Sequence, residues 1–298
     1  KDETFVLGLT TGHSPLGIYA KLVDKFRAGE VSFRNVVVFS LDEFYGISKE
    51  DRQSRNFRIH EEFLEYVNVK PENVYIPDST ISLNAISQYC RDYEAKIAQM
   101  GGIDLMLLGV GPKGQVGFNE PGSYSNTKTR LVALSNASIK AQASAFSGAE
   151  NVPTKAITMG IDTISSSKQI ILVAWGEDKA AVVGRVVEGE VDAMCPATYL
   201  QNHSNIEVVI DEEAAEELTR VKSPWLVGTC DWSPKFIRKA VIWLAMKTQK
   251  PILKLTYKDY IDNSLGQLLE AQGSFDSINI KVFNDLQHTI SGWPGGKP

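Results

Sequence analysis

Cysteine is scarce in this sequence. Cys90, Cys195 and Cys230 lie far apart and show no CxxC spacing. A small, odd, dispersed set excludes a disulfide framework and reads as reduced thiols of a cytoplasmic protein. Histidine is scarce as well. His13, His60, His203 and His288 share no ligand spacing, so no metal site is expected. Long apolar runs are missing. The longest, such as Ile170 to Trp175, have the length of a strand, far short of the roughly 20 residues of a membrane span. No signal peptide is visible. Positive charge is not in excess either. With 31 Lys and Arg against 36 Asp and Glu, the net charge is −5 and the pI near 5.5. That excludes a broad nucleic-acid surface, and a small anion would need a local positive site instead. There are no internal repeats and no low-complexity tract.

What is present is an ordinary globular composition, 43% hydrophobic and 22% charged over 298 residues. That length allows one large domain, or one domain with an appendage. Phe5 to Leu9 reads as a strand, followed by the small polar loop Thr10 to Pro15 and an amphipathic helix from Leu16 to Arg27. Ser14 before Pro15 predicts a hydroxyl N-cap with proline at the first helical position. Strand, loop and helix N-terminus together are a physical recipe for holding a phosphate. Val36 to Ser40 is a second buried strand that delivers Asp42 and Glu43 at its end. Residues 53–66 and 84–100 read as helices, with a short strand from Asn73 to Ile76 between them. Leu105 to Leu108 is a third buried strand. It runs into a loop with Gly109, Gly111, Gly114 and Gly117 that closes on Asn119-Glu120-Pro121. Closely spaced glycines past a strand end permit a sharp turn and a close approach of ligand to backbone.

Further on, Arg130 to Leu134 reads as a strand, and Ala156 to Met159 as a helix or a strand end. Ile170 to Trp175 is a strand, Glu177 to about Val187 a helix, and Ile206 to Ile210 a last strand. Alternating strands and helices predict a Rossmann-like parallel sheet with helices on both faces. In such a sheet ligands sit outside the carboxyl ends of the strands, where Asp42 and Glu120 are expected.

The glycine loop, GVGPKGQVGFNEP (109–121), resembles that of the glucosamine-6-phosphate deaminase (isomerase) family. LTTGHSPLGIY (9–19), SLDEFYGI (40–47), CRDYEAKI (90–97), GEDKA (176–180) and CPATYLQNH (195–203) fall in that family's order, so the resemblance covers roughly residues 5 to 220. Phe118 to Pro121 favours the deaminase branch over the 6-phosphogluconolactonases, which share the fold and carry Ser-Leu-Phe-Pro there. The resemblance implies conversion of glucosamine-6-phosphate to fructose-6-phosphate and ammonia, without a cofactor or metal. It implies catalysis by Asp42, as proton shuttle, and Glu120, as support for ring opening. It implies substrate binding by Thr11, Gly12, His13, Ser14, Gly109, Val110 and Lys179.

The departures are specific. Lys113 and Gln115 stand where the family has the aspartate and histidine of the ring-opening group. Glutamine does not titrate, and Lys113 would attract Glu120 if the two were close. His13 replaces a second glycine, where it either adds a donor to the phosphate or crowds it. The family's phosphate arginine before VPxxAIT is missing, with Gln142 to Phe146 in its place. Ser123 and Arg130 fit an allosteric site known in some bacterial members, but Val132 stands where a lysine is expected, so that regulation is not predicted. The impaired set leaves a non-catalytic sugar-phosphate-binding regulatory or scaffold domain as the alternative function.

The expected division is a deaminase-like domain over residues 1–222 and a C-terminal extension over 223–298. The first lacks the helix that precedes the first strand in the family, so its N-terminus reads as truncated. In the second, Ser233-Pro234 starts a helix to about Thr248, Pro251 to Thr256 reads as a strand, and Asn263 to Gln272 as a helix. The Gly/Pro-rich end, Ser291 to Pro298, reads as a linker. This extension resembles the connector of bacterial proteins in which a deaminase-like domain precedes a de-N-acetylase-like one. A phosphorylated amino sugar, a homo-oligomer partner and such a fused domain are the expected partners, with no nucleic acid and no membrane.

Overall fold

The structure, a computed structural model, describes residues 4–291. The chain splits into two compact units, Lys1–Glu216 and Glu217–Pro298. The sequence reading put this division after residue 222. The short helix Thr219–Lys222 instead goes with the second unit, where the Val221 carbonyl accepts from Lys239 Nζ at 3.3 Å.

Among the described residues the first unit has nine strands with helices between most of them: β1 (Phe5–Leu9), β2 (Val36–Ser40), β3 (Asp42–Phe44), β4 (Val74–Tyr75), β5 (Leu105–Gly109), β6 (Arg130–Ala133), β7 (Lys155–Thr158), β8 (Gln169–Ala174) and β9 (Ile206–Ile210). Six of them form a parallel sheet in the order β4-β2-β1-β5-β8-β9. Every residue of β2 is buried, as the apolar run Val36–Phe39 requires of an inner parallel strand. Leu7, Leu9, Val36 and Val38 join Tyr19 and Val23 of the helix Leu16–Arg27 in one cluster. The opposite face is covered too. Phe39 stacks on Tyr75 at 4.8 Å and meets Tyr93, of the helix Ile86–Gln99, edge-on at 5.6 Å.

The order of the strands sets the place of the site. From the centre the chain winds outward through β1, β2 and β4 on one side and through β5, β8 and β9 on the other. The direction reverses between β1 and β5, which leaves a crevice between the loops that follow them. A second sheet was not foreseen. β3, β7 and β6 pair antiparallel in the order β3-β7-β6, with Asp42 opposite Thr158 and Glu43 opposite Ile157. It resolves Lys155–Thr158 as a strand. Phe44, Phe118, Leu134 and Val152 bury beneath it.

The second unit corrects an expectation. It is helical, not α/β. Its main elements are Pro234–Thr248, Tyr257–Asp262, Gly266–Gln272 and Phe275–Ser291. Ser233 caps the first through Phe236 N, and a reciprocal Thr256/Asp259 pair caps the second. No strand forms over residues 251–256. Lys254 N donates to the Pro251 carbonyl at 2.8 Å and Leu255 N to that of Ile252 at 3.2 Å, a turn of 3-10 helix. The Leu255 carbonyl then accepts from the buried Asn279 Nδ2 at 3.0 Å, so its bonding is met without a neighbouring strand. Trp225, Ile237, Leu244, Tyr260 and Leu268 form the core of this unit. The linker-like end falls outside the described residues from 292 onward. Among the described residues no helix is long and apolar enough to cross a membrane.

Candidate active site

A cavity of about 720 Å³ opens at the switch point of the first unit. The loop after β1 gives it Thr11, Gly12, His13 and Ser14; the end of β5 gives it Gly109 and Val110. Asp42, Glu120 and Lys179 line the same cavity. All nine residues singled out in the sequence therefore share one space.

The loop after β1 is held from two sides. The buried Tyr19 hydroxyl donates to the Thr10 carbonyl, and Trp175 Nε1 donates to that of Ser14 at 2.9 Å. Ser14 does not cap the following helix. Pro15 occupies the cap position without a side-chain bond, and Leu16 N reaches only the His13 carbonyl, at 3.4 Å. The chain tightens one residue later than the hydroxyl–proline pattern predicts. Thr11 Oγ1 is buried and makes no hydrogen bond to the described residues. Lys179 closes the 3-10 turn Glu177–Lys179 and is 19% exposed, 3.9 Å from Asp178. That turn is anchored by Asp211, just past β9. Its carboxylate accepts from Gly176 N at 3.0 Å and Ala214 N at 2.9 Å. These amides, Ala214 first, hold the Asp211 carboxyl below its ordinary range.

At the other end the two adjacent acids part company, because successive side chains of a strand face opposite ways. Glu43 is fully occupied by structure. It accepts from Phe44 N, Ser54 Oγ, Arg55 N and Asn56 N, all within 2.8–2.9 Å, and so caps the helix Arg55–Glu62. Asp42 lines the cavity, 5% exposed. Burial pushes its carboxyl up to about 6; Glu43 adds to the rise and Arg55 opposes it. A carboxylate poised there suits proton transfer near neutral pH. Arg55 also lines the cavity, with Nε 3.4 Å from Asp42 Oδ1. That is longer than the roughly 2.7–2.9 Å of a charge-assisted hydrogen bond, so the attraction is an ion pair through space. The sequence reading missed Arg55. One signal was available: an arginine in the first turn of a helix, with no acid there, opposes the macrodipole and needs a carboxylate elsewhere.

The glycine loop is shaped by close approach. Gly117 has φ +57°, and a Cβ there would meet Thr158 Oγ1 at 2.9 Å and Asp42 Oδ2 at 3.0 Å. Gly114 has φ +76°, and a Cβ would lie 2.2 Å from Cys195 Sγ. Asn119 is wholly buried. It donates to the carbonyls of Val116 and Met159 and accepts from Arg130 Nη1 at 2.9 Å. Arg130 also donates to Ser123 Oγ at 3.2 Å, so its guanidinium serves the loop itself.

Lys113, which would attract Glu120 if the two were close, is exposed and does not pair with it among the described residues. The Glu120 carboxylate instead accepts from Ser135 N at 3.0 and 3.3 Å. Gln115 Oε1 accepts from the Lys113 amide at 2.9 Å. Gln142, the first residue of the stretch 142–146 that has no arginine, lines the cavity as a neutral group. Among the described residues no group of three or more His, Cys, Asp or Glu is arranged to hold a metal.

A six-stranded parallel sheet with helices and a cavity at its switch point defines the class, a doubly wound α/β protein. Within that class the chain belongs to the family described as glucosamine-6-phosphate isomerases/6-phosphogluconolactonase, whose model matches residues 1–210. It is 47% identical over 293 residues to a glucosamine-6-phosphate deaminase-like protein of Bacteroides thetaiotaomicron, a match over 98% of this chain and 44% of that protein. The chain thus spans less than half the length of that relative. It is 42% identical over 210 residues to a glucosamine-6-phosphate deaminase of Thermoanaerobacter sp., covering 70% of this chain and 82% of that one. A solved structure of a monomeric glucosamine-6-phosphate deaminase superposes with a TM-score of 0.69 at 39% identity, over 72% of this chain and 88% of that one.

Proposed function

We propose that the first unit binds a phosphorylated amino sugar of the glucosamine-6-phosphate kind and isomerises its open-chain form with release of ammonia. The observation that carries this reading is the shared cavity: Thr11, Ser14 and Lys179 line it together with Asp42. A phosphate needs donors and a cation, and Thr11 to Ser14 with Lys179 supply both. Gly109 and Val110 form the wall for the sugar. Asp42 takes the proton from C2. The C–H electron pair becomes the C1–C2 double bond, and the carbonyl pair moves to O1. The proton is returned to C1 and an amine N–H proton passes to O1, which leaves a hydroxyl at C1 and an imine at C2. Water hydrolyses that imine to the ketone and ammonia, so the reaction is an isomerisation completed by a hydrolysis. Glu120 supports the sugar end. Lys113 and Gln115 supply no titrating pair, so opening of the closed ring is slow. The names of the relatives support the substrate class.

A second reading is binding without turnover, as a regulatory or scaffold domain. It is favoured by Glu120, which is held by Ser135, and by the neutral Gln142. An ammonia-release assay on glucosamine-6-phosphate beside calorimetry with the same ligand decides between them. Turnover supports the first reading and binding without turnover the second; no binding discards both. A cytoplasmic setting fits the three free cysteines. A homo-oligomer and a fused de-N-acetylase-like domain complete the proposal, the latter in keeping with a relative more than twice this length.

A further inference from the structure

Arg55 has no part in the reading above, yet it sits where the chemistry would occur. Its side chain is only 12% exposed. The guanidinium lies over the rings of Phe44 and Phe118, at 4.7 and 5.5 Å, which hold its plane. Nε is buried without a hydrogen-bond partner. Its ion pair with Asp42 is long, and Glu43 binds the Arg55 amide, not its guanidinium. Desolvation penalises a cation here. Glu43, capping the start of the helix Arg55–Glu62, and the longer pair with Asp42 offset that penalty from the protein side. Arg55 lines the cavity next to the carboxylate that would remove a proton.

We propose that Arg55 is a catalytic residue of this pocket: its guanidinium takes the carbonyl oxygen of an open-chain 2-amino sugar phosphate as that oxygen becomes negative. The proposal rests on the isomerase reading and deepens it. When Asp42 removes the proton from C2, the carbonyl electron pair moves to O1, and the new charge forms beside a fixed cation in a poorly hydrated place. Donors set in advance for a developing oxyanion lower the barrier without reorganising. A pocket with this cation, but with Lys113 and Gln115 in place of a titrating pair, is built for substrates whose ring is already open.

Two open-chain phosphate probes test this by calorimetry on the whole chain. One is a sugar-phosphate hydroxamate, which places a negative oxygen at the carbonyl position. The other is the matching amino-alditol phosphate, which has none. The wild type should prefer the hydroxamate by about tenfold or more, since tenfold is only ~1.4 kcal/mol and charged hydrogen bonds reach that. Arg55→Met should erase the preference and leave alditol affinity within about threefold, which also shows that the variant folds. If Arg55→Met does not fold, Arg55→Gln takes its place with the same expectation. Equal loss of both probes, or a preference that survives loss of the charge, overturns the proposal. A wild type that binds the alditol without preferring the hydroxamate overturns the role of Arg55 and leaves the sugar-phosphate reading standing. A wild type that binds neither probe removes both.

Discussion

The two ends of the cavity are built from different materials. At the β1 end the groups that face the space come from a loop and a turn fixed by the fold itself. Tyr19, Trp175 and Asp211 hold those segments through backbone atoms. At the Asp42 end the groups are individual side chains, and several of them can change without disturbing the chain. Lys113 is exposed and Gln115 half-buried, so neither position is dictated by packing. Gly114 and Gly117, on either side, are dictated: a Cβ at each would strike a neighbour. The lesson is that the β1 end presents side chains such as Lys179 from segments whose backbone the fold fixes, whereas at the Asp42 end Lys113 and Gln115 stand where packing leaves the choice open.

The largest effect should separate the two ends outright. Asp42→Asn should lower ammonia release by about 10²–10⁴-fold, the usual worth of a general base, and leave affinity for an amino-alditol phosphate nearly unchanged. Wild-type activity should rise as pH increases through about 6, because burial holds the Asp42 carboxyl there and only its ionised form accepts a proton. The stability consequence has the opposite sign. A carboxyl raised in the folded state binds its proton more tightly than the unfolded chain does. Stability is therefore full below the ordinary value of 3.8, falls as pH rises toward about 6, and levels off above it. The total is on the order of 3 kcal/mol for a two-unit shift. Denaturant melts across this range should show the fall in the wild type and not in Asp42→Asn. A variant that loses activity and affinity together would erase the distinction between the ends.

Next in size is Lys179→Met. It should weaken a phosphorylated ligand by about 10–100-fold, the range of charge-assisted hydrogen bonds. It should leave the pH profile of turnover in place, which a steady-state titration checks. Smaller again is a gain. Lys113→Asp together with Gln115→His should raise ammonia release by a factor of about ten or more, since each such factor is only ~1.4 kcal/mol of barrier. The two must change together, because groups that act as a unit are not additive. No gain in a double variant that folds and binds would move the cause to the arginine missing from residues 142–146 or to a different natural substrate.

Much of the first unit was legible from the chain alone. Buried strands such as Val36–Phe39 and Leu105–Leu108 declare themselves by continuous apolar runs, and β1, β5 and β9 lie where those runs put them. The antiparallel sheet was not legible. β3 is three residues long, and Asp42-Glu43 does not alternate like a half-buried strand. Its partners lie far along the chain, so only tertiary pairing creates it. The family loops were found because their motifs are long. Arg55 and Asp211 were not found, because the contacts that place them at the site, with Asp42 and with Gly176, lie far along the chain. The supposed strand at 251–256 failed for the converse reason: its apolar residues fit a strand, but the capping pair Thr256 and Asp259 starts a helix there.

The smallest expected effect probes how the backbone-built end is held. Asp211 touches no part of the cavity lining directly; it fixes Gly176, three residues before Lys179, through that residue's amide. Asp211→Ala removes the acceptor, yet Gly176 is not fully buried, so water can take over the amide. The cost should then be that of one ordinary hydrogen bond at the low end of its range, about two- to fourfold in affinity for the amino-alditol phosphate. Asp211→Asn keeps an acceptor oxygen and should fall between the wild type and Asp211→Ala. Because the amides of Ala214 and Gly176 hold this carboxyl below its ordinary range, it stays ionised above the usual carboxylate value, and the difference should not vary with pH from about 5 upward. Calorimetry at two pH values checks both statements. A loss as large as that of Lys179→Met would mean that the turn presenting Lys179 has no support besides Asp211.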